Sequence, residues 1–530
     1  MYIFIFTLFL YNQIMITIDF SRRGTLNLTE FLYSQLKARI LEGNLCPNQR
    51  LPSKRSLSSH LGVSVITVQN AYQQLIDEGY VYSAEKRGYF VTPLDTSTHA
   101  MALPGKRQIP PQSAQPEGGA ARFPLQDQDS HPQPDLINLQ DIHIHRELFP
   151  FTLWSRLMRK VLQDSKTRIL SPLPPEGLWE LRLAVATYLG TFRNMAVEPE
   201  QVVIGAGTEY LYSLVLQLLG RNLRYGVENP GYQKPARIMK AMGVDWTPVA
   251  MDTSGVTVEE LAKQQVDAVL VSPAHHFPSG IIMPIKRRQE LLAWARGGGQ
   301  QTQQRFIIED DYDSEFRFTG RPLETLFSLE EANQSLQAAT NPSQLNSDTP
   351  RHADTSKESS GHVIYLNTFT KTLTPSLRIS YMVLPWNLVQ QFRQQLGFYS
   401  CTVSSIEQLT LARFIQEGHY EKHLARKKNH YRNVRDNLIL QLGRSALASH
   451  ISISGKDGGL HFLLRVNTTA SNQQLQEKLK QAGVQVALLH HFFHHETDAA
   501  QLPLLVVSYS ALKKEQIPSL VERLCRALNL

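Results

Sequence analysis

Residues 367–378 read NTFTKTLTPSLR, a lysine at 371 set among hydroxyl side chains with an arginine at 378. The stretch runs on from VIYLN at 363–367, an apolar run of strand length. Similar runs recur along the chain: QVVIG at 201–205, LRYGVE at 223–228, DAVLVSP at 267–273, RFIIEDD at 305–311 and ISYMVLP at 379–385. Amphipathic segments such as 210–219 and 287–296 separate several of them, which predicts a largely parallel α/β sheet. In such sheets ligands bind just past the carboxyl ends of the strands.

Those positions hold a distinctive set. Gly207 and Thr208 open a helix whose free amides suit a phosphate, and Tyr232 brings an aromatic ring to the same crevice. A polar turn, AHHFPSG, follows at 274–280; Asp310, Asp311 and Tyr312 end the next run, and Thr368, Thr370 and Lys371 the one after. Each is weak alone, since Gly-rich turns are common, an Asp pair at a strand end is usually a solvated cap and a loop lysine is usually just exposed. Together they supply a phosphate cradle, a ring, a carboxylate, a phenol and an amine at one sheet edge. Pyridoxal 5'-phosphate needs that combination: an amine for its aldehyde, an anion for its pyridinium nitrogen, and amides with a guanidinium for its phosphate. Lys371 is the expected Schiff-base lysine, with Thr368, Thr370 and Arg378 on the phosphate.

The N-terminal part reads differently. Helices are expected from a cap at Thr29 to Gly43, from Ser53 to Gly62, and from Ser64 onward, where Val68, Ala71, Tyr72 and Leu75 share one face. Two alternating strands around a Lys86-Arg87-Gly88 tip follow, completing a winged helix-turn-helix. Residues 21–93 carry nine Lys/Arg against five Asp/Glu, within a chain of net charge +7, which favours a polyanionic partner. The stretch LPSKRSLSSHLGVSVITVQNAYQQLIDEGYV with RGYFV resembles the GntR-type winged-helix domain. The resemblance implies Arg55, Ser64, Thr67 and Gln69 on DNA phosphates and base edges, with Lys86 and Arg87 near the minor groove. The chemistry agrees, because short hydroxyls and a helix N-terminus suit phosphate and Gln reads adenine. Val65 departs from the arginine common there, and valine suits a thymine methyl instead.

Residues 136–530 are similar to fold-type-I aminotransferases, most specifically at EDDYDSEFRF (309–318), NTFTKTLTPSLRISY (367–381) and FPSG (277–280). With the winged helix in front, the whole resembles the MocR subfamily of GntR regulators. The expected fold is therefore multidomain: an N-terminal α+β winged helix-turn-helix and a C-terminal α/β fold-type-I, pyridoxal-phosphate-binding aminotransferase-like domain. The resemblance implies Asp310 on the pyridine nitrogen, Tyr312 on the ring hydroxyl, Tyr232 stacked on the ring, and a head-to-tail homodimer. Expected boundaries are an extension at 1–24, with translation starting at Met15, the winged domain at 25–93 and a Pro/Gln-rich linker at 94–135. The aminotransferase-like domain spans 136–530, broken by a disordered surface insertion at 328–361.

Departures bear on turnover. The strand LLVVSYS at 504–510 has no arginine to hold a substrate carboxylate, and Val506 occupies the expected place. Lys234 stands where a GABA-responsive relative has arginine and His276 where glutamine is common, which makes these two the candidate effector contacts. A poorly clamped substrate loses the orientation on which rate depends. The expectation is thus a cytoplasmic, dimeric regulator that senses pyridoxal phosphate with an amine or amino acid and binds paired half-sites on double-stranded DNA. The alternative is a working pyridoxal-phosphate-dependent aminotransferase carrying a DNA-binding domain. Three scattered cysteines suggest neither a disulfide framework nor a zinc site, and the apolar residues 1–13 are too short to span a bilayer. The histidines at 490, 491, 494 and 495 read as a loop beside the cleft, so no metal is expected.

Overall fold

A computed structural model describes residues 16–24, 26–84, 87–93, 136–140, 146–297, 304–318, 320, 323–340, 361–494 and 503–529. The winged domain packs helices Leu28–Leu41, Lys54–Leu61 and Val65–Asp77 against a three-stranded sheet of Arg50–Leu51, Gly88–Val91 and Val81–Ala84. Two caps fall as expected: Ser53 Oγ accepts from the Ser56 amide at 3.1 Å and Ser64 Oγ from the Thr67 amide at 3.0 Å. Each such cap contributes about 1 kcal/mol to its helix. Gly62 ends the second helix in the left-handed region, with φ 65°. The first helix is capped by Asn27, not Thr29, because the Asn27 side chain accepts from the Glu30 amide at 2.9 Å. Ile16 and Ile18 are buried in the winged domain's core, so that unit takes in residues that the expected boundary assigned to the extension.

The larger domain centres on an eight-stranded sheet. Its order is Val202–Gly205, Ser380–Val383, Val363–Thr368, Phe306–Asp310, Ala268–Val271, Tyr225–Asn229, Trp246–Asp252 and Gly255–Val256. Every strand read from the apolar runs is present. Ser380–Val383 runs antiparallel to both neighbours, so the carboxyl ends of the five strands that carry the candidate residues share one edge. Their residues are buried on both faces, which explains why they read as continuous apolar runs without alternation. A second sheet orders Ile451–Ser454, His461–Val466, Leu504–Ser508 and Ala487–Leu488, all antiparallel.

The proposed disordered insertion begins instead with a helix, Leu326–Thr340. Its start is fixed by the buried Glu309 carboxylate, which accepts from the Leu326 amide at 2.9 Å and the Phe327 amide at 3.1 Å. Residues 341–360, like the linker at 94–135, lie outside the described residues.

The two domains touch. Ile285 of the larger domain is buried in the winged domain's apolar core, and its amide donates to the Glu78 carbonyl at 2.7 Å. Lys37 pairs with Glu78 at 3.1 Å and also with Glu324, while Tyr33 donates to Glu78 at 2.7 Å. Arg317 pairs with Asp77 at the end of the third helix. No helix among the described residues is long and apolar enough to cross a membrane.

Candidate functional site

The parallel strands bring the predicted residues to one edge. Thr208 opens helix Thr208–Leu219, and Gly207 before it has φ 93°. A Cβ at Gly207 would lie 2.1 Å from Arg378 Nη2, so only glycine lets the guanidinium approach. Arg378 itself has φ 49°, a left-handed backbone that costs a non-glycine residue about 1 kcal/mol and marks a position held for its side chain. Nearby hydroxyls are linked: Thr368 Oγ1 donates to Thr370 Oγ1 at 2.8 Å and accepts from the Thr370 amide at 3.1 Å and from Ser380 Oγ at 2.8 Å.

Glu209 ties this end together. Its carboxylate accepts from Lys234 Nζ at 2.6 Å and pairs with Arg378. Partial burial works against ionisation, yet the Lys234 and Arg378 bonds hold the Glu209 carboxyl down at about 2. An anion of the chain thus occupies the space between two cations.

At the other end of the pocket, Asp310 is buried and accepts from the Tyr212 hydroxyl through Oδ2. Its Oδ1 is buried with no partner, and among the described residues Asp310 makes no ion pair. Burial raises its carboxyl to about 7 although the Tyr212 bond opposes this. The neighbouring Asp311 faces the other way: its Oδ2 pairs with Arg193 and accepts from Tyr365 at 2.7 Å. The Tyr312 hydroxyl lies 3.4 Å from His275 Nδ1, which is also 3.2 Å from Asp313. Tyr232 is half-exposed, edge-on to Phe277 at 6.2 Å between ring centres, with Lys234 Nζ 5.9 Å from its own ring. Burial lowers the Lys371 amine to about 8, against the pull of Asp313 and Asp310.

His276 turns away from these groups. It is buried, with Nδ1 2.6 Å from Ser279 Oγ and Nε2 3.4 Å from Glu228. Burial raises Glu228 to about 8 and lowers His276 to about 3, so the pair is neutral. His275 is the histidine that meets Tyr312. Val506 packs in an apolar cluster with Leu463, Leu489 and Leu504, against which Phe277 also lies. The loop at 489–494 closes over the cleft's rim, where the Phe492 carbonyl accepts from the Gly231 amide at 2.9 Å and Gln233 Nε2 at 2.8 Å. His495 lies outside the described residues.

Sequence reasoning missed three partners. Tyr212 is legible in hindsight, because it stands one helical turn after Thr208 on the same face. Glu209 and Thr402, whose Oγ1 accepts from the Ala206 amide at 3.0 Å, depend on tertiary approach alone.

In the winged domain, Arg55, Ser64, Gln69 and Arg87 are exposed and Thr67 half-exposed, with Lys54 donating to Gln69 at 3.3 Å. Lys86 lies outside the described residues. Val65 and Ile66 are exposed beside Ser64, at 41% and 70%.

A winged helix joined to an aminotransferase-like domain defines a class of transcriptional regulator, and comparison with known proteins agrees. Bacterial regulatory proteins of the gntR family match residues 28–91, and aminotransferase class I and II matches 150–299. The chain is 33% identical to the HTH-type transcriptional regulator YdeL of Bacillus subtilis, over 94% of this chain and 97% of that protein. It is 28% identical to the pyridoxine biosynthesis regulator PdxR of Corynebacterium glutamicum, over 87% of this chain and 88% of that protein. The protein belongs to this family of HTH-type transcriptional regulators, of the MocR and PdxR type. The fold of the larger domain is that of a multiple substrate aminotransferase from Thermococcus profundus, with TM-score 0.60 and 21% identity over 75% of this chain and 92% of that one.

Proposed function

We propose that this regulator binds pyridoxal 5'-phosphate in the larger domain and reads an amine or amino acid there. The reading would change how a cytoplasmic head-to-tail homodimer presents two winged helices to paired half-sites of an operator. The genes so controlled would serve vitamin B6, amine or amino-acid metabolism. The single observation that carries the cofactor is the buried, unpartnered Oδ1 of Asp310 opposite a two-cation anion site. A buried carboxylate oxygen without a partner is costly, and a pyridinium nitrogen is the donor that Oδ1 lacks.

When bound, the cofactor supplies an aldehyde for amine capture and an electron sink. Lys371 offers the amine, poised by burial close to neutrality. Thr368, Thr370, Thr208, the Gly207 turn and Arg378 would hold the phosphate, Tyr312 the ring hydroxyl and Tyr232 one ring face. Were Glu209 displaced from these cations, Lys234 would be free to hold an effector's carboxylate. The apolar setting of Val506 supports sensing over turnover, because Val506 itself brings no charge to orient a substrate carboxylate.

The test is the visible absorption of the full-length protein and of Lys371→Ala, titrated with pyridoxal phosphate and then with amines and amino acids. A cofactor band in the wild type alone, stable to the panel yet altering operator affinity, supports the regulator. Full conversion by one amino acid, reversed by a keto acid, selects the working aminotransferase instead. Absence of any band in the wild type sinks both.

A further inference from the structure

Lys427 is fully buried, at 0% exposure, in the middle of helix His419–Arg444. Burying an ammonium ordinarily demands a carboxylate, yet among the described residues none pairs with it. Its Nζ instead donates to the Lys371 carbonyl at 2.9 Å and lies 3.4 Å from that of Leu373. One turn earlier, His423 Nε2 donates to the Thr372 carbonyl at 2.8 Å. Three successive carbonyls at the end of the short helix Phe369–Thr372 are therefore held by one neighbouring helix. A methionine or leucine would fill the same space without the desolvation cost, so packing alone does not account for an amine here.

We infer that Lys427 is a positioning residue for Lys371: it grips the backbone of the cofactor lysine and that of Leu373, two residues on. The inference rests on the pyridoxal phosphate reading. The groups facing Lys427 are His423 and Tyr431 on its own helix, the latter with its ring centre 5.8 Å away, and Lys371 across from it. Burial, reinforced by the charge of Lys371, brings Lys427 down to about 7, and burial lowers His423 to about 4. Lys371 must meet an aldehyde from one fixed place, and the grip on its carbonyl sets that place.

The test measures pyridoxal phosphate capture by the wild type, Lys427→Met and Lys427→Gln. Absorbance is followed across pH, borohydride trapping with mass spectrometry locates the adduct, and thermal melting reports folding. Lys427→Met is expected to melt like the wild type and to bind roughly tenfold more weakly, as expected for one lost hydrogen bond from a charged donor. Lys427→Gln keeps a donor to the same carbonyls, so it should restore the affinity. Wild-type affinity in Lys427→Met, or, should the methionine variant not fold, weakened capture by a normally folded Lys427→Gln, overturns the inference while leaving the cofactor reading intact. A wild type that captures nothing overturns both.

Discussion

Arg317 and Asp77 join the two domains through an ion pair whose side chains are only 6% and 18% exposed. Arg317 follows Asp310 by seven residues along the segment that also supplies Tyr312 and Asp313, so the end of the third winged-domain helix is tied to the candidate site by one short run of chain. Removing one partner of a buried pair costs about 3 kcal/mol, since the other charge is stranded. Arg317→Ala should therefore loosen the docked winged domain. Small-angle scattering should show a larger radius of gyration, and any effect of pyridoxal phosphate on operator affinity should vanish while cofactor capture persists. An unchanged scattering curve with intact coupling would remove the pair from the account.

Asp310→Asn should separate stability from function. The carboxyl is raised to about 7 in the fold, against roughly 4 in an unfolded chain, so the folded protein favours its neutral form. That contribution is fully present below pH of about 4 and is lost as pH rises through about 7, at up to about 1.4 kcal/mol per pH unit in this window. The unliganded Asn variant escapes the loss. Melting curves at pH 5 and pH 8 should show it gaining on the wild type at the higher pH, while its affinity for pyridoxal phosphate falls.

Glu209→Gln should strengthen phosphate binding. The wild-type carboxylate competes for Arg378 and Lys234, and replacing it with an amide removes that rival charge. An increase of roughly tenfold in affinity for pyridoxal phosphate is expected, about 1.4 kcal/mol, the size of one charge-assisted bond. Calorimetric titration at two salt concentrations checks this, and the gain should shrink at high salt.

Val65 and Ile66 predict what the operator contains. Two exposed apolar side chains beside the Ser64 cap are suited to thymine methyl groups in the major groove. On a site obtained by selection from random DNA, each contacted thymine replaced by uracil should cost about fourfold in affinity, the worth of one buried methyl at about 0.8 kcal/mol. Arg55→Ala should instead weaken all sequences alike and reduce the salt dependence by about one phosphate contact. Insensitivity to every uracil replacement would assign the two side chains to something other than base reading.

Much of this arrangement was legible because the sheet is largely parallel and buried. Each strand announced itself as an apolar run, and the sheet rule then gathered Gly207, Asp310, Tyr312 and Lys371 from across the chain onto one edge. The helix Leu326–Thr340 escaped for the opposite reason: beyond its first turn it has few large apolar side chains, and its stretch SLEEANQSLQAAT was read for composition when its Leu, Glu, Gln and Ala are good helix formers. His276 was chosen because it stands where glutamine is common in the resembled subfamily, and adjacent histidines in a turn cannot be oriented from sequence; Glu228 and Ser279 hold His276 while Asp313 holds His275. Glu209 was invisible as an anion-site occupant because its role exists only once Arg378, distant in sequence, folds back onto it.

Ile285 makes the two domains depend on one another. A residue of the larger domain, 2% exposed, completes the hydrophobic centre of the smaller one. Cut apart, each half would present an oily scar to water, one where Ile285 had been inserted and one around Ile285 itself. The two domains of this chain are therefore not interchangeable modules, and neither can be swapped for a homologue without re-matching the contact at Ile285.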